Sequence, residues 1–178
     1  MKTRVIFATA AFALLSPLAF AQSNQGADSA MMQQFADLSA QEFVTMAASS
    51  DMFEIQSSQL ALEKAQDDDL KEFAEQMIED HTKASKQLQQ IASSENLSVP
   101  ADMAEMHETL LETLSSASGD AFEAAYVDAQ VQAHQMALAL MTSYAENGDN
   151  EKLQAHAEAS APIIAQHLEH AQEHKQGM

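Results

Sequence analysis

The sequence has no cysteine and no tryptophan, and only four glycines, three prolines and two tyrosines among its 178 residues. Without cysteine there is no disulfide framework, zinc–thiolate cluster, iron–sulfur centre or thiol nucleophile, so any metal site must use His, Met and carboxylate. The shortage of large aromatic faces removes a stacking platform for bases or sugars. Isolated glycines make neither a phosphate-cradling loop nor a nucleophile elbow. Positive charge is also scarce: eight basic residues face 27 acidic ones, for a net charge of −19. That balance repels phosphate backbones and anionic headgroups, so nucleic acid and membrane surfaces are disfavoured as partners.

The first 21 residues differ from the rest. Lys2 and Arg4, an apolar stretch from Val5 to Leu15 and the small-x-small pattern Ala19-Phe20-Ala21 read as a secretory signal peptide, too short for a comfortable membrane span. Cleavage would leave a soluble product outside the cytoplasm, periplasmic or secreted, with no direct membrane insertion. It would hold six lysines and no arginine, which removes arginine clamps for phosphate or carboxylate. Residues 22–38 are polar and read as a flexible N-terminal segment, in which Met31, Met32 and Phe35 could begin a helical turn. Residues 39–176 form the domain.

Within it, helix formers dominate. Ser39 and Glu42 make a capping box for a first helix, roughly 40–65, with Phe43, Ala47, Ser50, Ser57 and Ala61 on one stripe. Asp67-Asp68-Asp69 opens a second, with Leu70, Ala74, Met77, His81, Ala84, Leu88 and Ile91 inward. A crossover follows, containing a short helix whose buried stripe includes Met103, Met106, Leu110 and Leu114. Asp120 and Glu123 open a third long helix, apolar over a wide face that includes Phe122, Tyr126, Val131, Leu138 and Met141, and Asn147-Gly148 ends it. The fourth carries Leu153, Ala157, Ile164, His167, Ala171 and His174. Two antiparallel hairpins joined by a long crossover predict an all-α, ferritin-like four-helix bundle, with an irregular five-helix array as the alternative.

Chemistry lies in the polar residues that interrupt these stripes. Glu54, His81, His134 and His167 each point inward, one from each long helix. Counted from the Asp67 turn, Glu54 and His81 fall level and should meet. Counted from Gly148, His134 and His167 are out of step by about one turn, ~7 Å, a gap that Pro162 could shorten. No Glu-x-x-His occurs, so a carboxylate-bridged di-iron centre is disfavoured. One Zn, Fe or Cu ion held by imidazoles and a carboxylate suits these ligands. A buried Glu–His network without metal is the rival, since Glu54 and a protonated His81 could satisfy each other. Two weaker patterns are His156, His167, His170 and His174 as a surface cluster, and Met103-x-x-Met106-His107 as soft ligands for Cu(I); solvated helix face and buried stripe are the simpler readings.

The run Phe73-Ala74-Glu75-Gln76-Met77-Ile78-Glu79-Asp80-His81, the Gly119-Asp120-Ala121-Phe122 start with Tyr126 and His134, and Ala161-Pro162-Ile163-Ile164-Ala165-Gln166-His167 resemble a secreted bacterial family. It is catalogued as a domain of unknown function and often labelled predicted outer-membrane protein. The resemblance covers roughly 41–174. It implies a ferritin-like four-helix fold, an extracytoplasmic location and polar core positions at Glu54, His81, His134 and His167, without an established activity. Glu123 departs from the Asp common at its position in the family, which concerns the start of the third long helix.

The expectation is a periplasmic, non-enzymatic bundle binding one divalent ion through Glu54, His81, His134 and His167. Asp80, about 100° away around its helix, is at best a partner of a ligand. The alternative is a structural or protein-interaction bundle of the cell envelope with a metal-free buried Glu–His network, and with a homo-oligomer or envelope protein as partner. An enzyme using an open metal position ranks third.

Overall fold

The structure, a computed structural model, describes residues 30–178; the signal peptide expected at residues 1–21, and residues 22–29, lie outside the described residues. Helices α1 (Ala40–Lys64), α2 (Asp68–Ser94), α3 (Glu105–Ser116), α4 (Asp120–Asn147) and α5 (Glu151–Gly177) follow one another, with no strand among the described residues. Their starts follow the capping chemistry. The Ser39 hydroxyl accepts from the Glu42 N–H, while the Glu42 carboxylate accepts from the Ser39 N–H at 2.9 Å. Asp67 accepts from the Leu70 N–H at 3.0 Å, and Asn150 from the N–H groups of Lys152 and Leu153. α4 starts differently, from Gly119 at φ 57°, a left-handed conformation that suits glycine. Glu123 ties that start to the first hairpin by accepting from the backbone N–H groups of Gln66 and Asp67, at 2.6 and 3.1 Å.

Those ties fix the topology. α2 and α4 both begin at the Gln66 end, and α1 and α5 both begin at the opposite end, where Gln41 bonds Ser98 and Asn150 bonds Glu95. α1 packs on α2 and α4, and α5 packs on α4 and α2, so the four long helices form a bundle of two antiparallel hairpins. The crossover and α3 return along the outside of α1, held by Lys64 to the carbonyls of Ser115 and Ala117.

Two apolar clusters fill the bundle. Phe43, Val44, Leu88, Tyr144 and Leu153 pack one end, and Phe53, Phe73, Met77, Phe122 and Tyr126 the other. Along α2, α4 and α5, the changeover comes at His81, His134 and His167, so a polar layer separates the two clusters.

Two stretches differ from the main expectation. In the segment read as flexible, the helical turn considered at Met31, Met32 and Phe35 is present: residues 30–34 are helical, and Phe35 is buried against the first cluster with Met31 and Met32 beside it. These three apolar side chains give that segment a reason to dock, and Leu138, half-buried, faces them. On α3 the stripe is rotated, with Met106 44% exposed while His107 and Leu114 are buried. Burial of His107 is compensated by its Nδ1 contact with Ser49 Oγ at 2.7 Å and by stacking on Phe53.

Candidate metal centre

α2, α4 and α5 each send one imidazole to the polar layer. One ring nitrogen from each of His81, His134 and His167 lies within 4.8 Å of the other two, and the ring centroids are 5.5–5.6 Å apart. All three residues are buried. The linker shortens the one-turn mismatch expected between His134 and His167: with Gly148–Asn150 in neither helix, His134 lies 13 residues before Asn147 and His167 16 residues after Glu151, which leaves three residues, ~4.5 Å, and the rings still meet.

Each ring is held by one nitrogen. His81 Nδ1 donates to Asp51 Oδ1 at 2.9 Å, His134 Nδ1 to the Gln130 carbonyl at 2.9 Å, and His167 Nε2 to Asp80 Oδ2 at 3.0 Å. Such bonds fix both tautomer and orientation, and leave the lone pair on the opposite nitrogen. Those opposite nitrogens, His81 Nε2, His134 Nε2 and His167 Nδ1, are buried and have no hydrogen-bond partner among the described residues. A buried polar atom without a partner is costly, and three together require a common explanation.

Glu54, on α1 and 1% exposed, lies outside that three-imidazole group: its Oε1 is 3.6 Å from the tethered His134 Nδ1, and both its oxygens are without a hydrogen bond. It does not pair with His81 as the level count suggests; Asp51, one turn earlier, takes that place. Asp80 is the partner of His167, because its side chain spans the gap between α2 and α5 despite its angular offset from His81. Sequence reading missed Asp51. Its position three residues before Glu54 was the available signal, since residues three apart share a helix face.

Burial raises the Glu54 carboxyl to about 7, partly opposed by His81. His81 is also desolvated, yet its hydrogen bond to Asp51 and the charges of Glu54, Asp51 and Asp80 carry it above the usual imidazole value. His134 falls well below that value through burial and its two imidazole neighbours, and His167 falls through burial and His81 against the pull of Asp80. Two of the imidazoles thus favour the neutral, ligand-competent form.

A cleft of about 250 Å³ runs to this layer between α2 and α5, lined by Asp51, Asp80, His81, His156, Ser160 and His167 among others. The four-histidine surface cluster is thereby split: His167 faces the core, His156 lines the cleft, and His170 and His174 stack on each other nearer the end of α5. Asp51, Asp80, His156 and Met141 give the cleft a mixture of charged, imidazole and thioether donors. No helix among the described residues is long and apolar enough to cross a membrane.

Solved structures share this architecture. CopM in the Cu(II)-bound form superposes at a TM-score of 0.68 with 20% identity, covering 79% of this chain and 98% of that one. CopM in the Cu(I)-bound form gives 0.67 with 16% identity, and CopM in the Ag-bound form (by co-crystallization) 0.65 with 19%, at the same coverage. At these identities the likeness establishes the fold. A search of the curated proteins gives no match. The family model described as domain of unknown function DUF4142 matches residues 21–173, and with most of its length inside that match this chain belongs to the DUF4142 family.

Proposed function

We propose that this protein is an exported, non-enzymatic bundle that binds one metal ion in its core through His81, His134 and His167, with Glu54 as the anionic ligand. The observation that carries the reading is the set of three buried imidazoles, each tethered through one nitrogen and each with the other unpartnered. A metal ion would satisfy all three nitrogens at once, and the Glu54 carboxylate, 3.6 Å from the tethered Nδ1 of His134, would have to turn towards the ion to offset part of its charge. Nitrogen and oxygen donors suit Cu(II), Zn(II) or Fe(II). Similarity to CopM in copper- and silver-bound forms favours copper among these. The N-terminal signal pattern supports export.

One observation favours a second reading. Asp51 and His81 form a buried pair 2.9 Å apart, with His81 biased toward the protonated form, which suits a metal-free network that fixes helix register. Metal analysis and calorimetric copper titration of untagged protein separate the two. The metal reading expects one tight ion per chain, retained when His170 and His174 are both replaced by Ala, and lost in His134→Ala. Tight binding that survives His134→Ala, or no tight binding in the parent protein, favours the metal-free network.

A further inference from the structure

Towards the C-terminal end of α5, beyond the core layer, His170 and His174 stand one helical turn apart with ring centroids 4.9 Å from each other. Both lie against the Phe73 ring of α2, at 5.0 and 5.5 Å, so an apolar wall backs the pair and limits its freedom. His174 Nε2 is a buried atom without a hydrogen-bond partner among the described residues. Asp67 and Asp69, from the start of α2, line the same open pocket of about 620 Å³, as do Glu173 and Met178. Asp67 uses Oδ1 to cap α2. The nearby cation Lys175 is directed to Asp128 on α4, at 2.9 Å, and so leaves the pocket's acidic side chains to other partners.

The geometry points to a second metal site here: a divalent transition-metal ion chelated by His170 and His174, with carboxylate from the Asp67–Asp69 side of the pocket. Two imidazoles at i and i+4 on a helix form the bidentate unit by which helical zinc sites begin. Adding carboxylates to imidazoles selects a borderline transition ion over Ca²⁺ or Mg²⁺, which prefer all-oxygen sites. The last turn of α5 adds the negative end of its helix dipole. Burial and the neighbouring His170 also lower the proton affinity of His174, against the pull of Asp67, Asp69 and Glu173. The position is half-buried and open to solvent, so it exchanges ions faster and holds them less tightly than a closed core site would. It stands independently of the proposed core site, although His167, His170 and His174 make the two sites successive steps along α5.

Zn²⁺ titration of untagged protein in excess Ca²⁺, followed by calorimetry and by the imidazole signals in NMR, tests the assignment. The expected result is that His134→Ala still binds one Zn²⁺ with shifts at His170 and His174. Adding His170→Ala and His174→Ala abolishes that event, while circular dichroism shows the helices intact. Asp67→Ser with Asp69→Asn, which keeps a capping oxygen, weakens it at least about tenfold. The proposal is overturned if His134→Ala binds no Zn²⁺, if its ion survives loss of both imidazoles, or if the carboxylate variant leaves affinity unchanged. A single ion lost through His134→Ala alone overturns the outer site and leaves the core reading standing; an ion lost only with His170 and His174 does the reverse.

Discussion

Glu54 holds a carboxylate that is 1% exposed and makes no hydrogen bond, and its pKa is raised to about 7 by that burial. Between the usual carboxylate value and about 7, the folded protein keeps a proton that the unfolded chain has lost. Its stabilising contribution is complete at low pH and disappears as pH rises through 7. In metal-free protein, Glu54→Gln should therefore melt higher than the parent at pH 8, by up to about 3 kcal/mol in stability, and the gain should vanish near pH 5. Thermal melts in chelator at the two pH values measure this; an equal effect at both would mean that the carboxylate charge is not the cost. Asp51 gives a complementary test. Because it accepts from His81 at 2.9 Å, Asp51→Asn and His81→Gln should be non-additive by about 1–3 kcal/mol, and more strongly coupled than Glu54→Gln and His81→Gln. Denaturant unfolding of the two double-mutant cycles decides it, and stronger coupling to Glu54 would restore the simpler pairing expected from the level count. Inward placement of His81 was legible because a helix face repeats every three to four residues. Its choice between two carboxylates on α1 was not, since both lie on the facing side and side-chain reach decides.

The helix limits were legible for a local reason: Ser39 with Glu42, Asp67 and Asn150 carry capping groups whose effect depends on only a few neighbours. α3 was legible as a helix but rotated, because Met106 and His107 are adjacent and both lie at helical spacing from Leu110, and contact with Ser49 and Phe53 selects His107 as the inward residue. The second hairpin's register depended in part on how many residues the linker removes from the helices, and no spacing rule supplies that number. Once closed, α2 and α5 leave the cleft that reaches His81 and His167, with the small Ser160 on its wall. If that cleft is the metal's route, Ser160→Phe fills it and slows loading and chelator stripping alike by roughly tenfold, as expected for an access step, while Kd is unchanged. Stopped-flow metal exchange checks both quantities. Unaltered rates would place the route elsewhere, and a lowered affinity would show that the ring has disturbed the ligands.

With apolar clusters on both sides, the polar layer joins the bundle's stability to the state of a few titratable groups. An ion that binds only the folded bundle should raise its stability by about 2.7 kcal/mol when free metal is 100 times Kd, or roughly 5–10 °C in Tm for a chain of this size. The pH dependence of that gain follows from which ligands must first lose a proton. His134 and His167 are held below the usual imidazole value by burial and their neighbours, so they compete with metal only in more acidic solution. His81 is held above that value, its desolvation outweighed by Asp51 and the nearby carboxylates, and Glu54 is raised to about 7 by burial. Both must release a proton for the four residues to bind as a set, so the metal-induced gain should fall as pH drops through about 7, with about two protons displaced per ion. In Glu54→Gln, the displacement should drop to about one and the gain should be smaller at every pH. Calorimetry in buffers of different ionisation enthalpy counts those protons, and melts from pH 8 to pH 5 follow the gain. A metal-induced rise in Tm that stays constant across that range would place the stabilising ion on groups other than His81 and Glu54.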